Sequence, residues 1–264
     1  MSTNPGRQES LMPFLSGIRV SEKTRTRYSS VLRGYMAWSG GSLPASQDEA
    51  QAYLDNRGDL SPASLAVAGA AISRYLRWCK IPVSKLERPP VHLPTPKYLS
   101  VPQVKALLEA CDYPLLQCLI AVLYDTGARI NEILTLEVKN IDDKGLLKVR
   151  RKGGKEEWTP ISDWGLKYLD RWLFLCPDRH YLVFGDQTYQ EILRECKRIA
   201  RKAGIKDFSP HQLRHSRAVH LHEAGLDWAD IAYTLGHVNP STTMKIYARP
   251  TAEDLRQRLP APRI

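Results

Sequence analysis

The stretch PLLQCLIAVLYDTGARINEIL, residues 114–134, decides the fold. Its first half is apolar on every side, so it predicts a helix buried at the centre of a domain. Thr126 and Gly127 predict the turn that ends this helix, because glycine readily takes the left-handed backbone of a helix C-terminus. A further helix is expected over residues 130–136, and Arg129 lies at the junction between the two helices.

Helices are also predicted on both sides of this stretch. Ser100 and Gln103 form a capping box before a helix whose apolar stripe includes Val104 and Leu108. Later helices are predicted at residues 164–173, 189–203, 211–224, 227–235, 241–247 and 252–259. Between them, GLLKVRRKGGKEEWTPI, residues 145–161, alternates like a short β-hairpin, with apolar Leu147, Val149, Trp158 and Ile161 around a basic tip, KGGK.

The first 90 residues predict a small helical bundle. Ser21 caps a basic amphipathic helix, and further helices are expected over residues 48–56 and 61–78. The segment RPPVHLPTPK, residues 88–97, has four prolines and cannot continue a helix. The expected organisation is therefore an N-terminal helical domain, 1–90, a proline-rich linker, 91–97, and a mainly α second domain, 98–264, with a small β-hairpin.

The charge predicts a polyanionic partner. Lys and Arg number 38 against 28 Asp and Glu, which gives a net charge of +10 and a pI near 9.4. DNA, RNA and an acidic membrane all fit this balance. The five cysteines contain no CxxC pair, and no apolar run approaches the ~20 residues of a membrane span. We therefore expect reduced cysteines, no metal site and a cytoplasmic location.

The segment FSPHQLRHSRAVHLHEAG, residues 208–225, predicts a phosphate site. Ser209, Pro210 and Gln212 have the pattern of a capped helix start, which places His211 and Arg214 in the first turn. Free backbone N–H groups and the positive end of the helix dipole attract phosphate there. Considered alone, the same segment also fits a solvated basic helix start.

Three other positions carry a functional and a structural interpretation each. Arg129 opens a helix after a tight turn and can direct its guanidinium at a phosphate oxygen, or pair with Glu132 three residues on. Lys152, on the hairpin tip, can protonate a leaving alkoxide, or remain solvated. Tyr247, at the end of a predicted short helix, is in isolation a packing residue.

A second tyrosine and three histidines compete with these candidates. Tyr233 is the strongest rival to Tyr247, but its position among Ile231 and Leu235 predicts helix packing. The histidines that share a helix with His211 are expected to be structural or exposed, since two of them are two residues apart and do not share a face. They are His215, His220 and His222.

Four motifs together resemble the tyrosine recombinase and integrase family, including its Xer-type members. They are TGARINEI, KGGKEEWTPI, HQLRH and LGHVNPSTTMKIYA, in this order across residues 98–248. The resemblance implies six catalytic residues, which are Arg129, Lys152, His211, Arg214, His237 and Tyr247. It also implies that the N-terminal bundle is the family's core-DNA-binding (SAM-like) domain, and that the two domains form a C-shaped clamp on DNA.

The resemblance further implies the chemistry and the partners. The family cleaves and rejoins DNA through a 3′-phosphotyrosine and a Holliday junction, without metal, ATP or other cofactor. The expected partners are double-stranded DNA with a recombination site, a tetramer of this chain on two sites, and accessory proteins. The short segment after Tyr247 is expected to exchange between protomers. Basic residues on the first long helix and the hairpin are expected to contact DNA, namely Arg25, Arg27, Arg33, Arg150, Arg151 and Lys155.

Two other functions share part of this pattern. A type IB topoisomerase resembles the family in its catalytic group but relaxes DNA without exchanging strands. A DNA-binding module without enzymatic activity also fits the charge, although such a module has no need of Tyr247. The DNA site, and the choice among dimer resolution, integration, excision and transposon resolution, have no signature in the sequence.

Overall fold

A computed structural model describes residues 11–90, 97–142, 144–151, 154–176 and 181–236. The chain divides into two compact units, Met1–Leu93 and Pro94–Ile264. Helices predominate, and within the described ranges one antiparallel pair of strands forms the sheet. The predicted mainly α fold with a small hairpin is therefore confirmed. Among the described residues, no helix has the length and apolar character needed to cross a membrane.

Residues 11–90 of the first unit form four helices, which are α1 (Leu11–Gly17), α2 (Glu22–Trp38), α3 (Gln47–Asp55) and α4 (Pro62–Trp78). Helices α2, α3 and α4 each begin after a serine whose hydroxyl accepts a hydrogen bond from a backbone N–H three residues on. The sequence pattern does not predict helix α1, because seven residues are too few to establish a helical period. Its buried Phe14 packs edge-on against Tyr75, so α1 belongs to the core of this unit.

The second unit is built around one buried helix. Its elements are α5 (Val101–Glu109), α6 (Pro114–Thr126), α7 (Ile130–Leu134), β1 (Leu146–Arg150), β2 (Glu156–Pro160), α8 (Asp163–Leu175), α9 (Tyr189–Lys202), α10 (Pro210–Glu223) and α11 (Trp228–Thr234). Helix α6 is the predicted central helix, and Leu119, Ile120 and Val122 on it are completely buried. Burial of each such side chain stabilises the fold by about 1.5–3 kcal/mol.

The helix after Arg129 is shorter than its predicted range, 130–136. It ends at Leu134, and a short 3₁₀ turn, Val138–Asn140, follows it. The helices predicted at 241–247 and 252–259 lie outside the described residues.

The hairpin has the predicted position, with one difference in facing. Strands β1 and β2 pair from Leu146 opposite Pro160 to Arg150 opposite Glu156. Leu147 and Val149 are buried as expected. Trp158, which was expected on the apolar side, is half exposed, because it pairs with Lys148 on the outward face and the buried residue of β2 is Thr159.

A buried carboxylate fixes the end of α6. Asp125 Oδ2 accepts hydrogen bonds from the Ser162 backbone N–H (2.7 Å) and hydroxyl (2.8 Å), at the start of α8. Its Oδ1 pairs with Arg217 of α10 at 2.9 Å. Helices α6, α8 and α10 are thereby joined next to the turn that carries Arg129.

Candidate active site

The turn after α6 meets the first turn of α10. Arg214 is buried, and its Nη1 donates a hydrogen bond to the Gly127 carbonyl at 2.6 Å. The Gln212 side chain accepts a hydrogen bond from the Ser209 backbone N–H at 3.1 Å, which fixes the helix start as the capping pattern predicted. His211, three residues before Arg214, is exposed.

The sequence of the turn explains its shape. Gly127 has φ +60°, in the left-handed region that ends a helix, and the Thr126 hydroxyl binds both the Val122 carbonyl and the Ala128 N–H. A Cβ atom at Gly127 would collide with the Leu235 side chain. The turn therefore also receives the end of α11.

We expect Gly127→Ala to destabilise the protein by about 2–4 kcal/mol, because left-handed strain adds to overpacking against Leu235. Chemical denaturation measures this loss. The matched control is Gly204→Ala, since Gly204 also has positive φ at a helix end but open space around it. Equal losses in the two variants would contradict the packing of Leu235 on the turn.

Arg129 is held by a carboxylate. Its Nη1 pairs with Glu132 Oε1 at 2.8 Å, and its backbone N–H donates to Glu132 Oε2 at 2.9 Å. The ion pair of the structural interpretation is thus present. Glu132 is buried, however, while 37% of the Arg129 side chain remains exposed. The pair consequently orients a partly accessible guanidinium.

Glu132 binds a second arginine, Arg151. Arg151 Nη1 lies 2.6 Å from Glu132 Oε2, and its Nη2 donates to Thr159 Oγ1 at 2.6 Å. Burial raises the pKa of Glu132, but hydrogen bonds from Arg129 and the charges of both arginines outweigh it and hold the pKa below its usual value. Glu132 is therefore a buried carboxylate in its charged form.

The guanidinium of Arg151 is bound inside the protein. It was predicted to contact DNA, but its Nη1 and Nη2 donate to Glu132 and Thr159, and only 7% of the residue is exposed. Its side chain turns inward at the end of β1 to neutralise Glu132, so a structural role replaces the predicted surface contact. One sign of this role is visible in the sequence, because strand alternation places Arg151 on the same face as Leu147 and Val149.

The other predicted DNA contacts lie closer to solvent. Arg27, Arg33 and Arg150 are exposed. Arg25 is half buried and pairs with Glu22 at 3.2 Å. Lys155 pairs with Glu157 at 3.0 Å while 77% of its side chain stays exposed.

Three of the six predicted catalytic residues, Lys152, His237 and Tyr247, lie outside the described residues. Arg151, directly before Lys152, contacts Gly236, directly before His237. Gly236 has φ +64°, and a Cβ atom there would lie 2.5 Å from Arg151 Nε. Residues next to Lys152 and His237 in the sequence are thus packed together.

The three histidines that share α10 with His211 make contacts inside the protein or on its surface. His220 Nδ1 lies 2.8 Å from Tyr124 Oη, and the His222 ring stacks on Trp228 at 4.2 Å. Burial, with smaller contributions from His211 and Arg214, lowers the pKa of His215 to about 4. Within the described ranges no group of three or more His, Cys, Asp or Glu side chains is placed to hold a metal ion.

Tyr233 is 82% exposed, so the prediction that it packs in the helix was wrong. Ile231 and Ala232 form the buried face of α11, Leu235 directly after the helix is also buried, and Tyr233 points to the opposite side.

Comparison with known proteins supports the resemblance. The model of the phage integrase family matches residues 97–254. Tyrosine recombinase XerA of Pyrococcus furiosus is 35% identical over 185 residues, which cover 66% of this chain and 64% of that protein. XerA of Thermococcus kodakarensis is 32% identical over 251 residues, with 90% and 88% covered.

Two solved structures have the same fold. The XerH site-specific recombinase bound to difH substrate gives a TM-score of 0.70 at 20% identity, over 91% of this chain and 81% of that one. A lambda integrase tetramer bound to a Holliday junction gives 0.72 at 16% identity, over 90% and 75%. The family model covers more than half of the chain, and the four motifs lie within residues that it matches. The predicted Xer-like resemblance is confirmed, and the chain belongs to the phage integrase family of tyrosine recombinases.

Proposed function

We propose that this chain is a site-specific DNA recombinase that cleaves and rejoins strands through a 3′-phosphotyrosine and a Holliday junction. The observation that carries the proposal is the hydrogen bond between Arg214 and the Gly127 carbonyl, two residues before Arg129. This bond joins two guanidinium-bearing segments that are far apart in the sequence. Two such groups suit the equatorial oxygens of one phosphate in an in-line attack.

The remaining roles follow from the chemistry of strand cleavage. The Tyr247 hydroxyl attacks phosphorus and passes its proton to His211, since a phenol with a pKa of about 10 needs a base. The bond to the 5′ oxygen breaks, and Lys152 protonates that oxygen. His237 adds a donor to the phosphate. The phosphotyrosine bond retains the energy of the broken ester, so rejoining needs no ATP.

Rejoining reverses this step with a strand from a second DNA. The incoming 5′ hydroxyl attacks the phosphotyrosine and releases Tyr247. The strands of one junction come from two DNA sites, which four copies of the chain bind. The lambda integrase of similar fold is likewise a tetramer bound to a Holliday junction. The proposal implies a protein that is associated with the nucleoid of a prokaryote or encoded by a mobile element. The exchange of the C-terminal segment, which lies outside the described residues, and the C-shaped clamp stay predictions.

The test of this function is covalent trapping. The protein is incubated with fragmented DNA of the source organism, denatured, and the attached fragments are sequenced from the point of attachment. A 3′-phosphotyrosine at one sequence is expected. Relaxation of supercoils without sequence preference, and without recombinants from paired sites, would indicate a type IB topoisomerase instead. Binding without attachment would indicate a DNA-binding module.

We expect Lys152→Ala to slow cleavage of the mapped site by about 10²–10⁴-fold, the usual contribution of a general acid. A substrate with sulfur at the 5′ bridging position should restore the rate, because the thiolate leaves without a proton. The matched control is Lys155→Ala, which removes an exposed lysine of the same hairpin and should leave saturated cleavage unchanged. Absence of rescue by sulfur would remove the acid role from Lys152.

A further inference from the structure

The guanidinium of Arg151 has surroundings that a DNA contact does not explain. It is buried, and its Nη1 and Nη2 donate to Glu132 and Thr159. Glu157 approaches its Nε at 3.5 Å. Burying an arginine has a desolvation cost that good hydrogen bonds must offset, and a surface arginine on a hairpin tip would avoid it. The arrangement therefore points to a role inside the protein.

Glu132 contacts both Arg151 and Arg129, so the position of Arg129 depends on that of Arg151. One carboxylate oxygen binds the Arg129 side chain, and the other binds both the Arg129 backbone N–H and Arg151. A carboxylate held on both oxygens has little freedom to rotate. Glu132, which Arg151 of the hairpin holds in place, thereby fixes the guanidinium of Arg129.

Arg151 also supports the backbone before His237. The close approach of Gly236 to the Arg151 guanidinium leaves no space for a side chain there. Arg151 is next to Lys152 in the sequence, and Gly236 is next to His237. Arg151 is therefore linked to three predicted catalytic residues. It contacts Arg129 through Glu132, it precedes Lys152 in the sequence, and it packs against the residue before His237.

We propose that Arg151 is a positioning residue of the active site, which acts on Arg129 through Glu132. This inference rests on the proposed function. It assigns Arg151 to the rate of strand cleavage and not to DNA affinity. Its exposed neighbour Arg150 is the matched contrast, because the two residues carry the same charge one position apart.

The experiment compares Arg151→Met with Arg150→Met on a nicked suicide substrate built from the trapped site. Arg151→Met should slow cleavage at saturating DNA by about 100-fold, the usual effect of misplacing a reacting group by about 1 Å, with an unchanged Kd. Arg150→Met should instead weaken binding and make it less salt-dependent. Arg151→Lys, which keeps the charge beside Glu132, should recover about tenfold of the lost rate.

A pH profile separates positioning from simple loss of structure. The charged groups facing Glu132 are Arg129 and Arg151, with Glu157 beside the latter. Loss of Arg151 removes one of the charges that oppose the effect of burial on Glu132, so the pKa of Glu132 should rise from its wild-type value, and the carboxyl should protonate and release Arg129 at a higher pH than in wild type. Cleavage by Arg151→Met should therefore gain an acid limb that wild type lacks. Adding Glu132→Gln should remove that limb.

Several outcomes would overturn the proposal. Saturated cleavage by Arg151→Met within about twofold of wild type would do so, since misplacement costs far more. So would a loss confined to Kd, or no acid limb. If Arg151→Met does not fold, Thr159→Val removes one hydrogen bond of Arg151 with little change in shape, and a wild-type rate for it would overturn the proposal. A wild-type protein that forms no covalent adduct would refute the proposed function, before any variant is compared.

Discussion

Tyr247→Phe is expected to abolish covalent attachment to DNA while leaving binding nearly unchanged. The substitution removes the one hydroxyl that attacks phosphorus, and that hydroxyl contributes little to phosphate affinity. Residual attachment should lie at the detection limit, because no water-derived reaction yields a protein–DNA bond. The measurement is the fraction of nicked suicide substrate that migrates with denatured protein, beside the Kd from a filter or mobility assay.

The control for this variant is Tyr233→Phe. Tyr233 is largely exposed on α11, which makes it the best rival nucleophile among the described tyrosines. It should retain wild-type attachment. Loss of attachment in Tyr233→Phe, with retention in Tyr247→Phe, would transfer the nucleophile to α11 and refute the assignment taken from the motif order.

The second large effect is expected for Arg214→Gln. Its guanidinium donates a hydrogen bond to the Gly127 carbonyl, and Arg214 lies one turn after the capped start of α10. Removing a preorganised donor from a developing phosphate charge costs about 10²–10³ in rate. Single-turnover cleavage at saturating DNA measures this loss. The Kd for DNA should change little, since one phosphate contact among many is removed.

Arg217→Gln provides the contrast on the same helix. Arg217 lies one turn beyond Arg214 and pairs with buried Asp125 at 2.9 Å. Breaking that pair should destabilise the fold by about 3–5 kcal/mol, because Asp125 stays buried. At temperatures where the Arg217→Gln variant is still folded, it should still cleave DNA. A normal rate for Arg214→Gln, or a lost rate for well-folded Arg217→Gln, would contradict the division of roles.

The sequence predicted those parts of the fold that local rules determine. Helix α6 could be found because it is apolar on every side, and α10 because Ser209, Pro210 and Gln212 mark its start. The facing of Trp158 could not be predicted, because register depends on the partner strand. Helix α1 was missed because its stability comes from the aromatic residues it packs against, which are distant in the sequence.

The candidate site shows the same division. Residue types and motif order predicted Arg129, His211 and Arg214 as catalytic residues, and in the structure Arg214 donates a hydrogen bond to the turn that precedes Arg129. The partner of Arg151 could not be predicted. Strand alternation places Arg151 on the same face as Leu147 and Val149, and Arg150 on the opposite face, but the carboxylate that neutralises Arg151 is Glu132, which precedes it by 19 residues.

The attachment of the Gly127 turn to α6 has a consequence for dynamics. Local opening is easiest where few buried contacts are lost, and here the turn continues directly from the most buried helix of its unit. Backbone amides at the end of α6 should exchange with deuterium only at the rate of global unfolding. In the proposed mechanism, the turn that carries Arg129 then needs no rearrangement before strand cleavage.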